Sequence, residues 1–409
     1  MSWREMSPME QRLEFVREFE TGWFTMTELA AQYGISRKTG YKWLGAYEAA
    51  GVAGLQDRLR RPHHSPQAIA SELVDAILAV RRRHPRWGPK KLLAVAQRRE
   101  PDAMWPARST VARWLKQRGL VTPKRRPPRH LSLSTPTLAA PTWPNELWTT
   151  DFKGEFRTRD GAYCYPLTLR DGFSRFVLRC DALSARTGAA TRRRFERAFA
   201  EYGLPDRIRS DNGTPFASPG LGGLSQLSVW WIRLGIVPER ITPGHPEQNG
   251  SHEQFHAVLK ADTARPPAAT GIAQQRRFQR FIREYNEVRP HEALDNEPPA
   301  RHYQPSRRSL PPRVPAIEYP GHMDVRRVSS VGCISWHNAP LFVAGALAGE
   351  HVGLEEVDDG IWTLHFATVA LARYDERHRT FHPIPTAVNG GRSGGCAASA
   401  PDLKNRKRR

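Results

Sequence analysis

Hydrophobic positions in the first 57 residues follow a helical period and predict three helices. Apolar side chains recur at helical spacing over Glu10–Glu20, and a second, shorter helix is predicted over Thr27–Tyr33. Gly34 ends that helix, and Ser36 has the hydroxyl side chain that commonly caps the next one. Residues 1–57 are therefore predicted to form an all-α module.

A helix, a glycine-containing turn and a second helix are typical of the helix-turn-helix motif. In this arrangement Ile35 and Leu44 would pack inward. A helical protein-interaction module is the alternative, because the first helix is acidic. On the DNA-binding interpretation, the residues facing the major groove would be Arg37, Lys38, Thr39 and Lys42.

Residues 58–120 predict a second helix-turn-helix module. Its helices are expected over Ile69–Arg83, Lys90–Arg99 and Ser109–Gln117, with Ser109 as the N-cap of the last. Trp87 and Trp114 flank apolar helical positions and are expected in the core. The predicted phosphate contacts of this module are Arg81, Arg82, Arg83, Arg113 and Lys116.

A proline-rich basic linker is predicted over residues 121–145. Its charged run contains Lys124, Arg125 and Arg126, followed by two prolines. Such a segment favours an extended chain over a packed element. We expect it to follow a phosphate backbone.

The pattern changes at residue 146 to short strands alternating with helices, which predicts an α/β domain over residues 146–305. Strands are expected over Leu147–Lys153, Tyr163–Arg170, Phe176–Asp181, Arg207–Ser210 and Ile236–Ile241. Helices are expected over Thr187–Tyr202, Leu224–Leu234, Ser251–Lys260 and Gln274–Val288.

Residues 320–376 alternate as short strands, and Asp359-Gly360 is a hairpin signal. The predicted strands are Arg327–Ser335, Leu341–Val343, His351–Val357, Ile361–Phe366 and Thr368–Arg373. We expect a small β-barrel here. The composition of residues 386–409 predicts a disordered tail.

Charge narrows the functional class. The 409-residue chain has a net charge of +21, and residues 58–130 alone hold 19 basic and four acidic side chains. Clustering of this kind is typical of proteins that contact nucleic acid. Four cysteines without a C-x-x-C pair predict neither a disulfide framework nor a cysteine zinc site. Without an apolar run of about 18 residues or a leader, a cytoplasmic protein with no membrane partner is expected.

Three acidic residues in the α/β domain are candidates for catalysis. Asp151 lies in its first predicted strand, Asp211 ends the fourth, and Glu253 lies in the first turn of a later helix. The two aspartates would meet if the first strand lies beside the fourth. Convergent carboxylates suit two Mg²⁺ ions that hold the attacking and leaving oxygens of an in-line phosphoryl transfer. Singly, each acid could equally be a surface group or a turn cap.

Four segments resemble the integrase catalytic core of bacterial insertion-sequence transposases, which are relatives of retroviral integrases. They are Trp148–Lys153, Ser210–Phe216, Pro243–Glu253 and Tyr285–Leu294. The resemblance spans about residues 10–375. It implies a ribonuclease-H-like fold, a DDE site that uses Mg²⁺ or Mn²⁺, and cleavage and joining at terminal inverted repeats and target DNA. A bacterial, nucleoid-associated protein, at least dimeric on DNA, is expected, with no structural zinc.

The third acid of the DDE set has two candidates. The spacing common in this superfamily points to Glu247, whereas the family motif places the glutamate at the start of a helix, which is Glu253 here. The stretch Ala217–Gly223 resembles an extra loop that lengthens the spacing. We favour Glu253.

Two other functions compete with this interpretation. His252-Glu253-Gln254-Phe255-His256 matches the H-E-x-x-H pattern of zinc proteases, but it would begin at a helix start in a strongly basic chain. A catalytically inactive DNA-binding regulator would keep the helix-turn-helix modules. The presence of all three acids favours the enzyme.

Overall fold

The computed structural model describes residues 6–57, 69–121, 138–218, 220–242 and 245–384, with only the backbone of residues 246 and 247. The chain divides into two units, Met1–Ala70 and Ser71–Arg409. The predictions for Lys124, Arg125, Arg126 and the tail lie outside the described residues.

The first unit contains the three predicted helices, α1 (Pro8–Glu20), α2 (Met26–Gln32) and α3 (Arg37–Ala50), followed by a 3-10 turn. Ser7, Thr25 and Ser36 cap them through hydroxyls that accept backbone N–H bonds. The helices enclose a small core, listed here by residue: Phe15, Val16, Met26, Leu29 and Leu55. The prediction of a three-helix module with a glycine turn before the third helix is confirmed.

Three more helices, α4 (Ser71–Arg83), α5 (Pro89–Arg99) and α6 (Arg108–Gln117), form a helical module at the start of the second unit. Trp87 is buried in its core and Trp114 packs against that core, as predicted. The prediction for Ser109 is wrong. Ala107 occupies the N-cap position of α6 without a side-chain hydrogen bond, so Ser109 lies within the first turn.

Arg81 serves the fold of this helical module. Its guanidinium donates hydrogen bonds to the carbonyl oxygens of Trp87 and Leu120, joining the end of α4 to the residues before α5 and after α6. Its half-buried side chain therefore has internal partners, and its assignment as a phosphate contact stays a prediction. Arg82 and Arg83 remain exposed.

A six-stranded mixed sheet forms the centre of the second unit. Its strands are β1 (Leu147–Phe152), β2 (Phe156–Arg157), β3 (Tyr163–Asp171), β4 (Val177–Leu183), β5 (Arg207–Ser210) and β6 (Val237–Arg240). The strand order is β2-β3-β1-β5-β6, with β4 also paired to β3. The pairing of β1 with β5 is parallel, and that of β1 with β3 is antiparallel. The predicted strand and helix order is confirmed, with β2 as an additional short strand.

Helices cover this sheet on both sides. On one side, α7 (Gly188–Tyr202) and α8 (Gln226–Arg233) bury aromatic side chains such as Phe195 and Trp231 against Trp148 of β1. On the other side, α9 (Gly250–Thr263) and α10 (Gly271–Glu287) pack against β3 and β4. Neighbouring side chains of a strand point to opposite faces, so β3 contributes to both cores.

The C-terminal strands do not close into a barrel. They are β7 (Asp324–Arg327), β8 (Cys333–Trp336), β9 (Ala339–Phe342), β10 (His351–Asp358), β11 (Ile361–Phe366), β12 (Val369–Asp375) and β13 (Thr380–Pro383). Five form an open sheet of order β13-β12-β11-β10-β7, and β8 and β9 form a separate hairpin. The predicted strands His351–Val357, Ile361–Phe366 and Thr368–Arg373 match β10, β11 and β12 closely, and the Asp359-Gly360 turn lies between the first two, as predicted.

The barrel prediction is wrong because this sheet has another apolar partner. Leu224, Val229 and Ile232, at and in α8, join the core formed by the C-terminal strands. The predicted strand Arg327–Ser335 is also interrupted, since Gly332 adopts a left-handed φ of 84° in a turn between β7 and β8. The C-terminal sheet thus shares a core with the central domain.

Candidate functional site

Asp151 and Asp211 lie at the same edge of the central sheet. The register of the parallel pair runs from Leu147 opposite Arg207 to Thr149 opposite Arg209. Continuing that register by two residues brings Asp151 of β1 beside Asp211, which directly follows β5. The predicted neighbourhood of the first and fourth core strands is therefore confirmed by the topology.

The two aspartates share a site that disfavours their ionised forms. Burial, together with the negative charges of Asp211 and Glu253, raises the pKa of Asp151 to about 7. Burial also raises the pKa of Asp211, against the opposing effects of a backbone hydrogen bond from Gly213 and the charge of Arg186. Among the described residues, the buried Oδ1 of Asp211 has no hydrogen-bond partner. A positive charge placed here would stabilise both carboxylates.

Glu253 lies in the first turn of α9 with an exposed side chain. Its charge contributes to the raised pKa of Asp151, so it lies within electrostatic reach of the aspartates. Across the described ranges, however, no three His, Cys, Asp or Glu side chains are grouped closely enough to hold a metal ion. The structure therefore brings the two aspartates to one edge and leaves Glu253 outside a shared ligand shell. The Glu247 side chain lies outside the described residues.

His252 and His256, one turn apart on α9, take part in a buried hydrogen-bond network. The Nε2 atoms of both rings lie at 2.7 and 2.8 Å from the hydroxyl of Thr168, and Nδ1 of His252 lies 2.9 Å from the hydroxyl of Thr149. Burial lowers the pKa of His252 well below its usual value and that of His256 to about 3. Both rings are therefore neutral at pH 7.

This network excludes zinc binding through the H-E-x-x-H pattern. Both ring nitrogens of His252 are already hydrogen-bonded to threonine hydroxyls, so neither is free to bind a metal.

The same network also contacts the strand that carries Asp151. The Thr168 hydroxyl donates to the carbonyl oxygen of Asp151 at 3.0 Å and lies next to Nε2 of both histidines. Nδ1 of His256 lies 3.5 Å from Oδ2 of Asp151. The network thus fixes the strand that carries Asp151 to the helix that carries Glu253. This hydrogen-bond network was not predicted from the sequence. The available signal was a pair of histidines one helical turn apart, together with Thr149 and Thr168 on predicted strands.

Arg170 of β3 holds the start of α9 through hydrogen bonds to Ser251. Its side chain is almost fully buried and donates one guanidinium bond to the carbonyl oxygen of Ser251, at 3.0 Å, and another to the Ser251 hydroxyl. Burial lowers the pKa of this arginine. Because Ser251 precedes Glu253 by two residues, Arg170 holds the helix turn that carries Glu253.

Most of the predicted DNA-binding residues that the structure describes are exposed, on α3, α6 and the end of α4. Arg37, Lys38 and Lys42 are exposed on α3, whereas the Thr39 hydroxyl lies 2.9 Å from that of Ser36 and belongs to the helix cap. Arg113 and Lys116 are exposed on α6. None of the described helices is long and apolar enough to cross a membrane.

Domain families match most of the chain. A helix-turn-helix domain matches residues 11–63 and a homeodomain-like domain residues 39–115. Two integrase core domain families match residues 141–246 and 234–299.

Related proteins come from insertion elements. The chain is 28% identical over 236 residues to an uncharacterized 31.7 kDa protein of insertion element IS407 from Burkholderia multivorans, covering 58% of this chain and 80% of the relative. It is 27% identical over 288 residues to an uncharacterized 39.2 kDa protein of insertion element IS476 from Xanthomonas euvesicatoria, covering 68% and 79%.

Solved structures with partial similarity include a simian T-cell lymphotropic virus intasome in complex with a PP2A regulatory subunit. That match has 16% identity and a TM-score of 0.35, and it covers 60% of this chain and 84% of the other. The HTLV-2 integrase catalytic core domain in complex with magnesium has 16% identity and a TM-score of 0.30, covering 40% and 98%.

The family matches and the element order agree on the modules of the chain, and the similarity covers about four-fifths of each of the two insertion-element relatives. This chain carries helix-turn-helix domains and an integrase core domain and is a homologue of insertion-element proteins.

Proposed function

We propose that this protein is a DNA transposase that binds the terminal inverted repeats of an insertion sequence and catalyses Mg²⁺-dependent strand cleavage and strand transfer. The observation that carries the proposal is the pair of half-buried aspartates, Asp151 and Asp211, at one sheet edge of an integrase core domain. The helix-turn-helix domains supply the means of binding DNA.

The residues at this edge fit a divalent metal ion. Carboxylate oxygens are the ligands that Mg²⁺ and Mn²⁺ prefer. Oδ1 of Asp211 has no hydrogen-bond partner among the described residues and is therefore available to bind a cation. Burial and the neighbouring charges of Asp211 and Glu253 raise the pKa of Asp151, and a cation bound beside it would lower that pKa. Asp151, Asp211 and Glu253 would hold the metal, as two ions in our proposal. Bound Mg²⁺ stabilises the charge that develops on the transferred phosphoryl group.

Other residues of the chain hold the acidic residues in position and surround the carboxyl group of Asp151. Asp151 must lose its proton to act as a ligand, and the neutral ring of His256 lies next to its carboxylate. Arg170 and the Thr168 network hold β1 and the start of α9 in place. Glu253 would reach the aspartates by a side-chain rearrangement in a fixed helix turn.

Joining two element ends to a target requires two active sites in one complex. We therefore propose that the protein acts on double-stranded DNA as at least a dimer.

The test of this function is a cleavage and joining assay on labelled duplexes that carry the element ends. Mg²⁺ or Mn²⁺ should support both reactions. Ca²⁺ should permit DNA binding with little chemistry, because its looser coordination does not organise in-line transfer. Efficient turnover in EDTA, or a covalent protein–DNA adduct, would contradict the proposal.

A further inference from the structure

A cleft of about 480 Å³ lies where the helical module of α4–α6 meets α9 and α10. One wall is the turn after α4, with Arg83, His84 and Arg86, and the other is formed by the end of α9 and the exposed side of α10. All of these residues belong to the second unit.

Two ion pairs hold the walls of the cleft together. Nδ1 of His84 lies 2.9 Å from Glu284, and Arg86 lies 2.8 Å from Asp262. The ring of His84 also stacks on Trp87, with centroids 3.8 Å apart. The acidic side chains of the cleft are therefore engaged by cationic or hydrogen-bonding partners within its walls.

The remaining charge of the cleft is positive. Arg83 and Arg280 are exposed and form no ion pair with any described residue. Arg277 donates its hydrogen bonds to the carbonyl oxygens of Thr263 and Pro266, which leave its charge unneutralised. Three arginines thus line the cleft without an ion pair to any described carboxylate, although the charge of Arg83 reaches Glu284 at longer range.

A row of arginines extends the cleft along α10. Arg276, Arg280 and Arg283 are spaced four and three residues apart and are all exposed, so they lie on one face of the helix. None of these three guanidinium groups forms an ion pair with a described residue, and a linear series of such charges matches the regular charge of a DNA strand better than a small anion.

We propose that this cleft, lined by Arg83 and Arg280 and continued by Arg276 and Arg283, binds the phosphate backbone of duplex DNA. The inference rests on the proposed transposase function and joins Arg83, a predicted phosphate contact of the second helical module, to arginines of α10 that were not predicted to contact DNA. It also explains why the strongly basic α4–α6 module is docked to the catalytic core.

The distance to the carboxylates fits this role. Asp262 in the cleft wall follows Glu253 by nine residues on the same helix, which is about 13 Å along a helix with a 1.5 Å rise per residue. At 3.4 Å per step of a DNA strand, phosphates in the cleft would lie about four steps from the reacting phosphate. The cleft would therefore hold DNA that flanks the cleavage site.

The experiment measures the affinity of the full chain for a repeat-end duplex and for a random duplex as a function of salt. The double variant Arg83→Ala/Arg280→Ala should lower the log–log salt slope by about two, one for each lost phosphate contact, and equally on both duplexes. Arg83→Lys/Arg280→Lys keeps both charges and should retain the wild-type slope. Circular dichroism melting checks that each variant is folded.

Arg193→Ala/Arg197→Ala is the matched control, because both arginines are exposed on α7 and form no ion pair with a described residue. This control should leave the slope within about half a unit of wild type. An unchanged slope in Arg83→Ala/Arg280→Ala, or the same loss in the α7 control, would overturn the cleft while leaving the proposed function intact. Failure of the wild-type protein to bind either duplex would overturn both.

Discussion

Asp151→Asn and Asp211→Asn should each lower strand cleavage and joining by more than about 100-fold, because loss of even an outer partner of a metal site costs 10–100-fold. Each substitution removes a negative charge from a half-buried site at one edge of the central sheet, where burial raises the pKa of both carboxyl groups. Repeat binding should be retained, since the helix-turn-helix residues of α3 belong to the other unit. Gel-shift and strand-transfer assays on the same preparations measure both.

Glu287→Gln is the control for these variants. Glu287 is exposed on α10 and should tolerate the change with wild-type activity. Glu253→Gln should resemble the aspartate variants, whereas cleavage that survives in Glu253→Gln and is lost in Glu247→Gln would assign the third acid to Glu247. Full activity in Asp211→Asn would exclude catalysis at this sheet edge.

The second large effect is expected from the exposed basic face of α3. Replacing Arg37, Lys38 or Lys42 singly with alanine should reduce discrimination between repeat and random duplex by about 1–3 kcal/mol wherever the residue makes a bidentate base contact. The side chains are exposed, and the α3 cap at Ser36 does not depend on them. Stability should therefore change little, and competition binding at physiological salt measures the ratio.

Glu48→Gln is a suitable control, because Glu48 is exposed near the end of the same helix, away from its N-terminal turns. It should leave the ratio unchanged. If all three basic residues can be replaced without loss of discrimination, α3 is not the recognition helix of this unit.

The sequence predicts the positions of Asp151 and Asp211 well because strand pairing determines them. β1 and β5 pair in parallel, and each has an aspartate at or directly after its carboxyl end. The pairing of these two strands therefore brings the two aspartates to one edge of the sheet. The helix order of the first unit is also predictable from the sequence, because hydroxyl caps and Gly34 mark the helix boundaries locally.

Features that depend on distant contacts were not predictable in the same way. The role of Arg81 is set by carbonyl groups six and 39 residues away. The C-terminal strands have the alternation of a barrel, but their apolar face packs against α8, which only the tertiary structure shows. The stretch Ala217–Gly223, which the sequence suggests is an extra loop, also contributes to that shared core. Leu221 in this stretch and Leu224 just after it both pack there.

The central claim is that Asp151 and Asp211 bind a catalytic divalent cation, and a Mn²⁺ titration followed by electron paramagnetic resonance tests it most directly. Wild-type protein should bind Mn²⁺, and Asp151→Asn or Asp211→Asn should weaken that binding by more than about tenfold. Asp102→Asn, a change at an exposed aspartate on the α5–α6 connection, should bind as wild type does. Equal Mn²⁺ affinity in the wild type and in both aspartate variants would contradict the account.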